Sequence, residues 1–214
     1  MDTAKAKKIM GKNFIGPEEL GAISSKLGIA NLNKKKIPEI KFSEQRLKKI
    51  SKDYILILGA PNAKDCSRLT LNRMRSHFGW DPEKSEPCFY NQDWYSKEKF
   101  ANKTNLKFQW YLVRKRVVEQ TRGKNPKDIK KKLLANMDFP SAILTAYTFF
   151  AYYFLNNKML WKHDFIWCSD KDKNGDQIYA GRYIDPKKIN KNGFNIHRHL
   201  SIRPCYGAIT QILK

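Results

Sequence analysis

The sequence predicts an α+β fold, and three features of its last third carry that prediction. Residues 142–155 are apolar on nearly every helical face, which is typical of a helix buried on all sides. Three later segments, rich in aromatic and β-branched residues, are predicted as strands: residues 164–169, 177–184 and 199–206. Asn174-Gly175 between the first two strands is a strong signal for a β-hairpin turn. We expect the earlier chain to pack around this helix and sheet.

Further elements are predicted upstream. Residues 53–59 form a continuous apolar run that ends in a Gly-Ala-Pro sequence, which indicates a buried strand. Residues 69–78 are predicted as a helix that stops at Gly79. In residues 108–118, apolar and basic positions interleave at helical spacing, so we expect a helix with its apolar side turned inward.

The chain divides at residue 52 into a basic helical N-terminal arm, residues 1–52, and an α+β domain, residues 53–214. Pro17 stands at the first position of a helix over residues 17–27, and Gly28 is its stop signal. A lysine-rich linker joins this helix to a second one that Ser43 caps. The pair is either a DNA-reading unit or a clamp on the main domain, and it carries no recognisable helix-turn-helix signature.

The charge balance favours an anionic partner. The chain has 214 residues with Lys+Arg 42 against Asp+Glu 20, a net charge of +22. Such a field attracts phosphate backbones, and 41% hydrophobic residues exclude a disordered polycation. However, 32 of the 42 cations are lysines and 10 are arginines, and a general lysine bias would give the same charge without any ligand. We predict a nucleic-acid partner, DNA or RNA, with a protein partner as the alternative.

Two features bear on location. The N-terminal residues lack the apolar segment of a signal peptide, and the longest apolar run is too short to span a bilayer. We therefore expect a soluble, cytoplasmic protein without a membrane partner. The four cysteines fit neither a disulfide framework nor a CxxC metal site, so buried thiols are favoured over a bridge between Cys168 and Cys205.

Phosphate contacts are expected on a cationic face formed by the segment after residue 108 and the lysine run that follows it. An ordinary solvated cationic face would show the same pattern. The candidate nucleic-acid-binding residues are Arg114, Lys115, Arg116, Arg122, Lys124, Lys130, Lys131 and Lys132.

A second hypothesis is a ligand- or protein-binding module whose charge is incidental. Residues 86–95 place aromatic rings among polar side chains, a mixture that suits a ligand pocket or a base-stacking platform. The same mixture suits an ordered loop whose rings fill the core. The candidate pocket residues are Tyr90, Asn91, Asp93, Trp94, Tyr95 and Arg182.

A third hypothesis is a metal-dependent nuclease. His197 and His199 would share one face of a strand, but a third ligand at diagnostic spacing is missing, so they are weak metal candidates. Residues 170–176 resemble the start of a calcium loop, yet Gly181 stands where a bidentate glutamate is needed, and a plain turn is favoured. Because glycine-rich nucleotide motifs and known catalytic motifs are absent, the sequence predicts no cofactor and favours a non-enzymatic protein.

The tail of the chain carries a family resemblance. Residues 167–170, the run from Gly175 to Asp185, Ile189 and the Leu-Ser-Ile-Arg-Pro sequence at 200–204 resemble the end of bacterial C-type-lectin-like domains. These domains include formylglycine-generating-enzyme-like modules and the variable proteins diversified by retroelements. Residues 93–101 and 110–115 are similar to uncharacterised bacterial proteins with the same tail.

The resemblance implies a scaffold that presents loops to a ligand. It also implies that the early strand lies near the terminal strand, with helices between them in sequence and a twisted antiparallel sheet at the end. Oxidase activity is not implied, because no cysteine pair is placed as in formylglycine-generating enzymes. Lectin-type calcium ligands are also missing, since Cys88 follows Glu86-Pro87. Fold alone does not fix function.

Overall fold

The computed structural model describes residues 1–32, 36–183, 193–198 and 201–213, and it has a mixed α+β architecture. The helices are α1 Thr3–Met10, α2 Pro17–Leu27, α3 Glu44–Ile50, α4 Leu71–Phe78, α5 Lys99–Asn102, α6 Pro126–Lys131 and α7 Ala142–Asn156. The strands are β1 Phe14–Ile15, β2 Tyr54–Leu58, β3 Trp110–Arg114, β4 Met137–Asp138, β5 Phe165–Lys171, β6 Gln177–Tyr183, β7 Gly193–Arg198, β8 Tyr206–Gly207 and β9 Gln211–Ile212. Short 3-10 turns occur at Gly11–Asn13 and Glu119–Thr121.

Two mixed sheets form the framework. The first has the strand order β1-β2-β3-β9-β4, in which β1 runs parallel to β2 and the other neighbours are antiparallel. The second has the order β7-β6-β5-β8, with only β8 parallel to its neighbour. The early strand β2 therefore lies one strand away from β9 near the end of the chain.

Helix α7 connects the two sheets. Its Tyr147 hydroxyl donates a hydrogen bond to the carbonyl of Leu58 in β2, at 3.0 Å. Its Phe149 ring packs against Phe194 of β7, with ring centroids 5.1 Å apart. Both rings are fully buried, which confirms the prediction of a helix enclosed on all sides.

The ends of α7 are fixed by local capping. Ser141 accepts a hydrogen bond from the backbone N–H of Leu144, and the Asp170 carboxylate accepts one from Ala142 at 2.6 Å. Asn157 ends the helix in the left-handed conformation, with φ of 50°. Burial raises the pKa of Asp170, and the hydrogen bond from the N–H of Ala142 acts in the opposite direction.

The predicted strand over 53–59 is confirmed as β2, and the predicted hairpin is confirmed as β5 with β6 up to residue 183, since residue 184 lies outside the described residues. The predicted helix over 108–118 is wrong, because this segment contains strand β3. It pairs with all of β2, from Tyr54 opposite Arg114 to Leu58 opposite Trp110. A short run of interleaved apolar and polar residues fits both the helical and the strand period. The segment forms a strand because its backbone pairs with β2, which is buried at every position.

The closing part of the second sheet also differs from the prediction. Residues 199 and 200 lie outside the described residues, and residues 201–205 are not a strand. Pairing resumes only at β8, which is parallel to β5, so the sheet is not purely antiparallel. Strand β7 was not identified from the sequence and pairs antiparallel with β6.

The first 52 residues are mainly helical, as predicted, and they also supply β1 to the first sheet. Buried side chains of α2, such as Leu20 and Leu27, belong to the same hydrophobic cluster as α7. The boundary at residue 52 stays a prediction, and the packing is continuous across it.

Among the described helices, none is both long and apolar enough to cross a membrane. All four cysteines are free thiols. Of the two thiols predicted to be buried, Cys168 is buried and Cys205 is half-buried, while Cys88 is buried and Cys66 is exposed.

Candidate functional site

A cleft of about 460 Å³ opens where three distant segments of the chain meet: the turn Gly11–Asn13, the residues after β3 and the residues after α7. We call it the cationic cleft. Its cationic lining residues are Lys12, Lys115, Arg116, Arg122, Lys158 and Lys162. Glu119 and Asp164 are the carboxylates in the same lining. Cations therefore outnumber carboxylates six to two.

Backbone hydrogen bonds bring these segments together. The N–H of Lys115 donates to the carbonyl of Asp53 at 2.8 Å, which fixes the end of β3 beside the start of β2. The side-chain amide of Asn13 donates to the carbonyl of Ser51 at 2.7 Å and holds the turn that carries Lys12. After α7, the left-handed Asn157 redirects the chain into Lys158.

Arg122 binds both carboxylates of the cleft. Its guanidinium lies 2.7 Å from Asp164 and 2.7 Å from Glu119. These ion pairs raise the pKa of Arg122, and Arg122 lowers the pKa of Glu119. Within the described ranges, the other five cations of the cleft have no carboxylate at ion-pair distance, so their charges are uncompensated.

Lys115 lies at the centre of the uncompensated charge. Burial lowers its pKa most, and the like charges of Lys12 and Arg116 lower it further. The Asp53 carboxylate acts in the opposite direction, and Lys158 adds a smaller lowering effect. Cations held close together without counter-charges cost folding free energy. A cleft that retains them, around an ionisable group with a perturbed pKa, is typical of a binding site for an anion.

An aromatic wall lies next to the cations. The Lys115 amino group sits 5.8 Å from the centre of the Tyr152 ring, close enough for a cation–π contact. Trp161 also lines the cleft and is 5% exposed, and its indole N–H has no partner among the residues that the structure describes. Trp161 and His163 have left-handed φ angles of 49° and 67°, which are unusual for such side chains. Backbone outliers of this kind cluster at ligand sites.

Three of the eight predicted nucleic-acid-binding residues line the cleft: Lys115, Arg116 and Arg122. Arg114 instead lies over the Tyr54 ring at 5.7 Å, on the strand itself. The α6 residues Lys130 and Lys131 pair with Asp138 and Asp128 at 3.3 and 3.6 Å. Neither they nor the remaining candidates Lys124 and Lys132 line the cleft.

The sequence-based search missed Lys12, Lys158 and Lys162. Each is an ordinary lysine in an ordinary polar segment, and only the tertiary fold brings them to Lys115. The one local sequence signal for any of them was the polar segment after the apolar run 142–155, which places Lys158 just after the end of a helix.

The predicted pocket residues are spread over the core and its rim. Tyr95 and Arg182 are buried, and Arg182 is ion-paired with Glu86. The indole of Trp94 donates to the carbonyl of Ile196 at 3.0 Å, and the Arg198 guanidinium lies 4.6 Å from its ring centre. Half-buried Tyr90 and exposed Asn91 and Asp93 complete the set. None of the six lines the cationic cleft, and a pocket at this segment stays a prediction.

The metal candidates are only partly described. The His197 ring stacks on Tyr179 at 5.5 Å, whereas His199 lies outside the described residues. In the part of the chain with described coordinates, no group of three or more His, Cys, Asp or Glu side chains is arranged to hold a metal ion. The Asp172 carboxylate accepts hydrogen bonds from the N–H groups of Asn174 and Asp176, as in a hairpin turn.

A second cavity, of about 680 Å³, lies between the end of α2 and α4, and we call it the polar groove. Three of its four basic side chains, those of Arg68, Arg73 and His77, have hydrogen-bond or ion-pair partners, and exposed Lys64 is the fourth. Arg73 pairs with Asp65 at 2.5 Å, and Arg68 donates to the carbonyl of Lys103 at 3.2 Å. His77 is hydrogen-bonded to the carbonyl of Lys26 at 2.9 Å. The polar groove therefore has less free positive charge than the cationic cleft.

Comparisons of the chain with protein-family models, with curated proteins and with solved structures found no match. The geometry and charge of the cationic cleft thus provide the basis for assigning a function.

Proposed function

We propose that this protein is a non-enzymatic nucleic-acid-binding protein whose cationic cleft contacts phosphate groups. The observation that supports this proposal best is the convergence of cations from three segments around Lys115, without carboxylate partners among the described residues. Phosphates are the counter-charges that such a cluster attracts. Arg122, which is already neutralised, acts as a support that keeps Glu119 and Asp164 away from the lysines.

The aromatic wall supports a nucleic acid over a simple inorganic anion. Tyr152 and Trp161 stand beside the cations with apolar neighbours Val117, Met159 and Leu160. Aromatic side chains next to a basic groove are a combination found in sites for unpaired nucleotides. Here Tyr152 and Trp161 are 3% and 5% exposed, so they offer a base an apolar contact and not an open stacking platform.

We also propose that the fold is a C-type-lectin-like scaffold. The resemblance of the tail and the sequence order of β2, the helices and the β5–β6 hairpin support it. Of the residues that line the cationic cleft, Lys115 alone belongs to the segments that carry this resemblance. The scaffold and the nucleic-acid function are therefore independent proposals.

A salt titration tests the proposed function. Fluorescence anisotropy would measure binding of mixed-sequence single-stranded DNA and RNA between 50 and 200 mM salt. With about two phosphate charges bound in the cleft, we expect the affinity to fall about tenfold over this range. Negligible binding at the low-salt end would refute the proposal.

Neutralising one lysine localises the contact. Lys115→Gln should weaken binding and reduce the salt slope by about one, as expected for one lost phosphate contact. The matched variant Lys64→Gln removes the same charge from the polar groove and should leave the slope unchanged. Equal losses in the two variants would show that only net charge matters and would contradict a role for the cleft.

A further inference from the structure

The shape of the cationic cleft limits what enters it. Its volume of about 460 Å³ falls in the range of small-ligand pockets, and its cations come from three segments of the chain. Proteins bind a continuous phosphate backbone on an open surface or along a groove. A concave site of this size admits one phosphate-bearing nucleotide, and the end of a strand presents such a group without bending the chain.

The density of charge points to the same kind of group. Lys12, Arg116 and Lys158 lie near enough to Lys115 to act on it electrostatically, and the described residues supply no carboxylate that pairs with any of the four. An internal phosphate diester carries one negative charge, whereas a phosphate monoester carries about −1.5 to −2 at pH 7 and three acceptor oxygens. The monoester therefore compensates such a cluster more completely.

Two further features fit a nucleotide attached to that phosphate. The buried indole N–H of Trp161 has no hydrogen-bond partner within the described ranges, although buried donors are normally paired. Trp161, Tyr152 and Leu160 line the apolar side of the cleft and are 5%, 3% and 7% exposed, so a sugar or base can contact only the small part of each that reaches the surface.

We infer that the cationic cleft binds a single phosphate monoester, the terminal phosphate of a nucleic-acid strand, with the adjoining nucleotide packed against Trp161. This inference rests on the proposed nucleic-acid function and makes it more specific. The shared chemistry is a nucleotide monophosphate group, which occurs at a strand end and in a free nucleotide.

The experiment compares end groups on one sequence. Internally labelled single-stranded 12-nucleotide DNA and RNA would be prepared with a 5′-phosphate, with a 3′-phosphate, or with hydroxyl groups at both ends. We expect one phosphorylated form to bind about tenfold more tightly than the hydroxyl form, the effect of adding a charge-assisted contact. A free nucleoside monophosphate carries the same phosphate and nucleotide, so as a competitor it should occupy the cleft and reduce the difference between the phosphate and hydroxyl ends.

Two variants locate the preference. Lys115→Gln should remove the difference between phosphate and hydroxyl ends, and Lys64→Gln should keep it. Trp161→Phe retains an aromatic ring and removes the N–H donor, so it should reduce the preference by about three- to tenfold if that donor meets the phosphate. A circular-dichroism spectrum identical to that of the unmodified protein would confirm that each variant is folded.

The outcomes separate the two proposals. Equal affinity for phosphate and hydroxyl ends, with salt-sensitive binding intact, would overturn the end-specific inference and leave the proposed function standing. Binding of the free nucleoside monophosphate without binding of any strand would overturn both, because the site would then serve a free nucleotide. A preference that survives Lys115→Gln would place the terminal phosphate elsewhere and overturn the inference.

Discussion

The cationic cleft and the polar groove are both lined by basic side chains, and they differ in what those side chains contact. In the polar groove, Arg73 is ion-paired with Asp65, and the side chains of Arg68 and His77 are hydrogen-bonded to backbone carbonyls. In the cationic cleft, Arg122 takes both carboxylates, and the lysines around it remain without counter-charges from the described residues. A basic lining alone therefore does not indicate an anion site.

The difference has an energetic meaning. Exposed ion pairs contribute little to stability, so the pairs of the polar groove are ordinary surface features. Among the unpaired cations of the cleft, Lys115 is half-buried and the others are exposed, so the unfavourable effect of like charges on folding falls mainly on Lys115. A protein retains such an arrangement where ligand binding requires it. The cleft is the region where stability and ligand binding are expected to conflict.

The largest expected effect comes from reversing two exposed charges of the cleft. The double variant Lys12→Glu, Lys158→Glu should weaken binding of single-stranded nucleic acid by about 100-fold or more, because two phosphate contacts become repulsive. Equilibrium binding at low salt would measure this loss.

The matched control for that variant is Lys64→Glu, Lys103→Glu, at and beside the polar groove. Both lysines are exposed, and the change in net charge is the same. We expect a loss of only a few-fold, from the weaker overall field. Comparable losses in the two double variants would remove the distinction between the two cavities.

A smaller effect concerns stability. Lys115→Met removes the charge at the centre of the cleft and keeps the aliphatic stem, so the free energy of unfolding at pH 7 should rise by up to about 1 kcal/mol. Urea denaturation would measure this gain. Lys64→Met is the control and should be neutral within about 0.5 kcal/mol.

The difference in the free energy of unfolding between Lys115→Met and the unmodified protein should also depend on pH. The pKa of Lys115 is lowered from 10.5 in the folded state, so the charged form is disfavoured by folding, and the full penalty is present at neutral pH. As the pH rises through the folded pKa towards 10.5, Lys115 loses its proton and the penalty disappears. The stability advantage of Lys115→Met should therefore shrink between pH 8 and about 10.5, and an advantage that grows in this range would contradict the assigned direction.

The fold could be predicted from sequence where an apolar pattern is long or where a turn motif lies between two strands. The run that forms α7 has no polar face, and the hairpin between β5 and β6 carries Asn174-Gly175, so both follow from local sequence. Strand β3 was mistaken for a helix because its five residues satisfy either period, and only the register with β2 decides. Strands β8 and β9, of two residues each, have no pattern to detect.

The candidate site was predictable only in its contiguous part. Lys115, Arg116 and Arg122 belong to one basic segment, which a sequence displays directly. Lys12 reaches them through the hydrogen bond from Asn13 to Ser51, which is a tertiary feature. Lys158 follows the local turn at the end of α7, and only the position of that helix in the fold brings it to the cleft. Nor does sequence show that Lys130 and Lys131 are neutralised by neighbouring aspartates.

The smallest expected effect tests the role of the carboxylates in the cleft. Glu119→Gln removes one of the two negative charges, while Asp164 still holds Arg122 at 2.7 Å, so the guanidinium should keep its place. Affinity for single-stranded nucleic acid should rise by about two- to threefold at low salt and return to the unmodified value as salt screens the charge. The control Glu83→Gln makes the same charge change at an exposed position away from the cleft and should raise affinity less. If Glu119→Gln instead weakens binding, Glu119 must position Arg122 for contact with the ligand, and Arg122 would then be a binding residue and not a support.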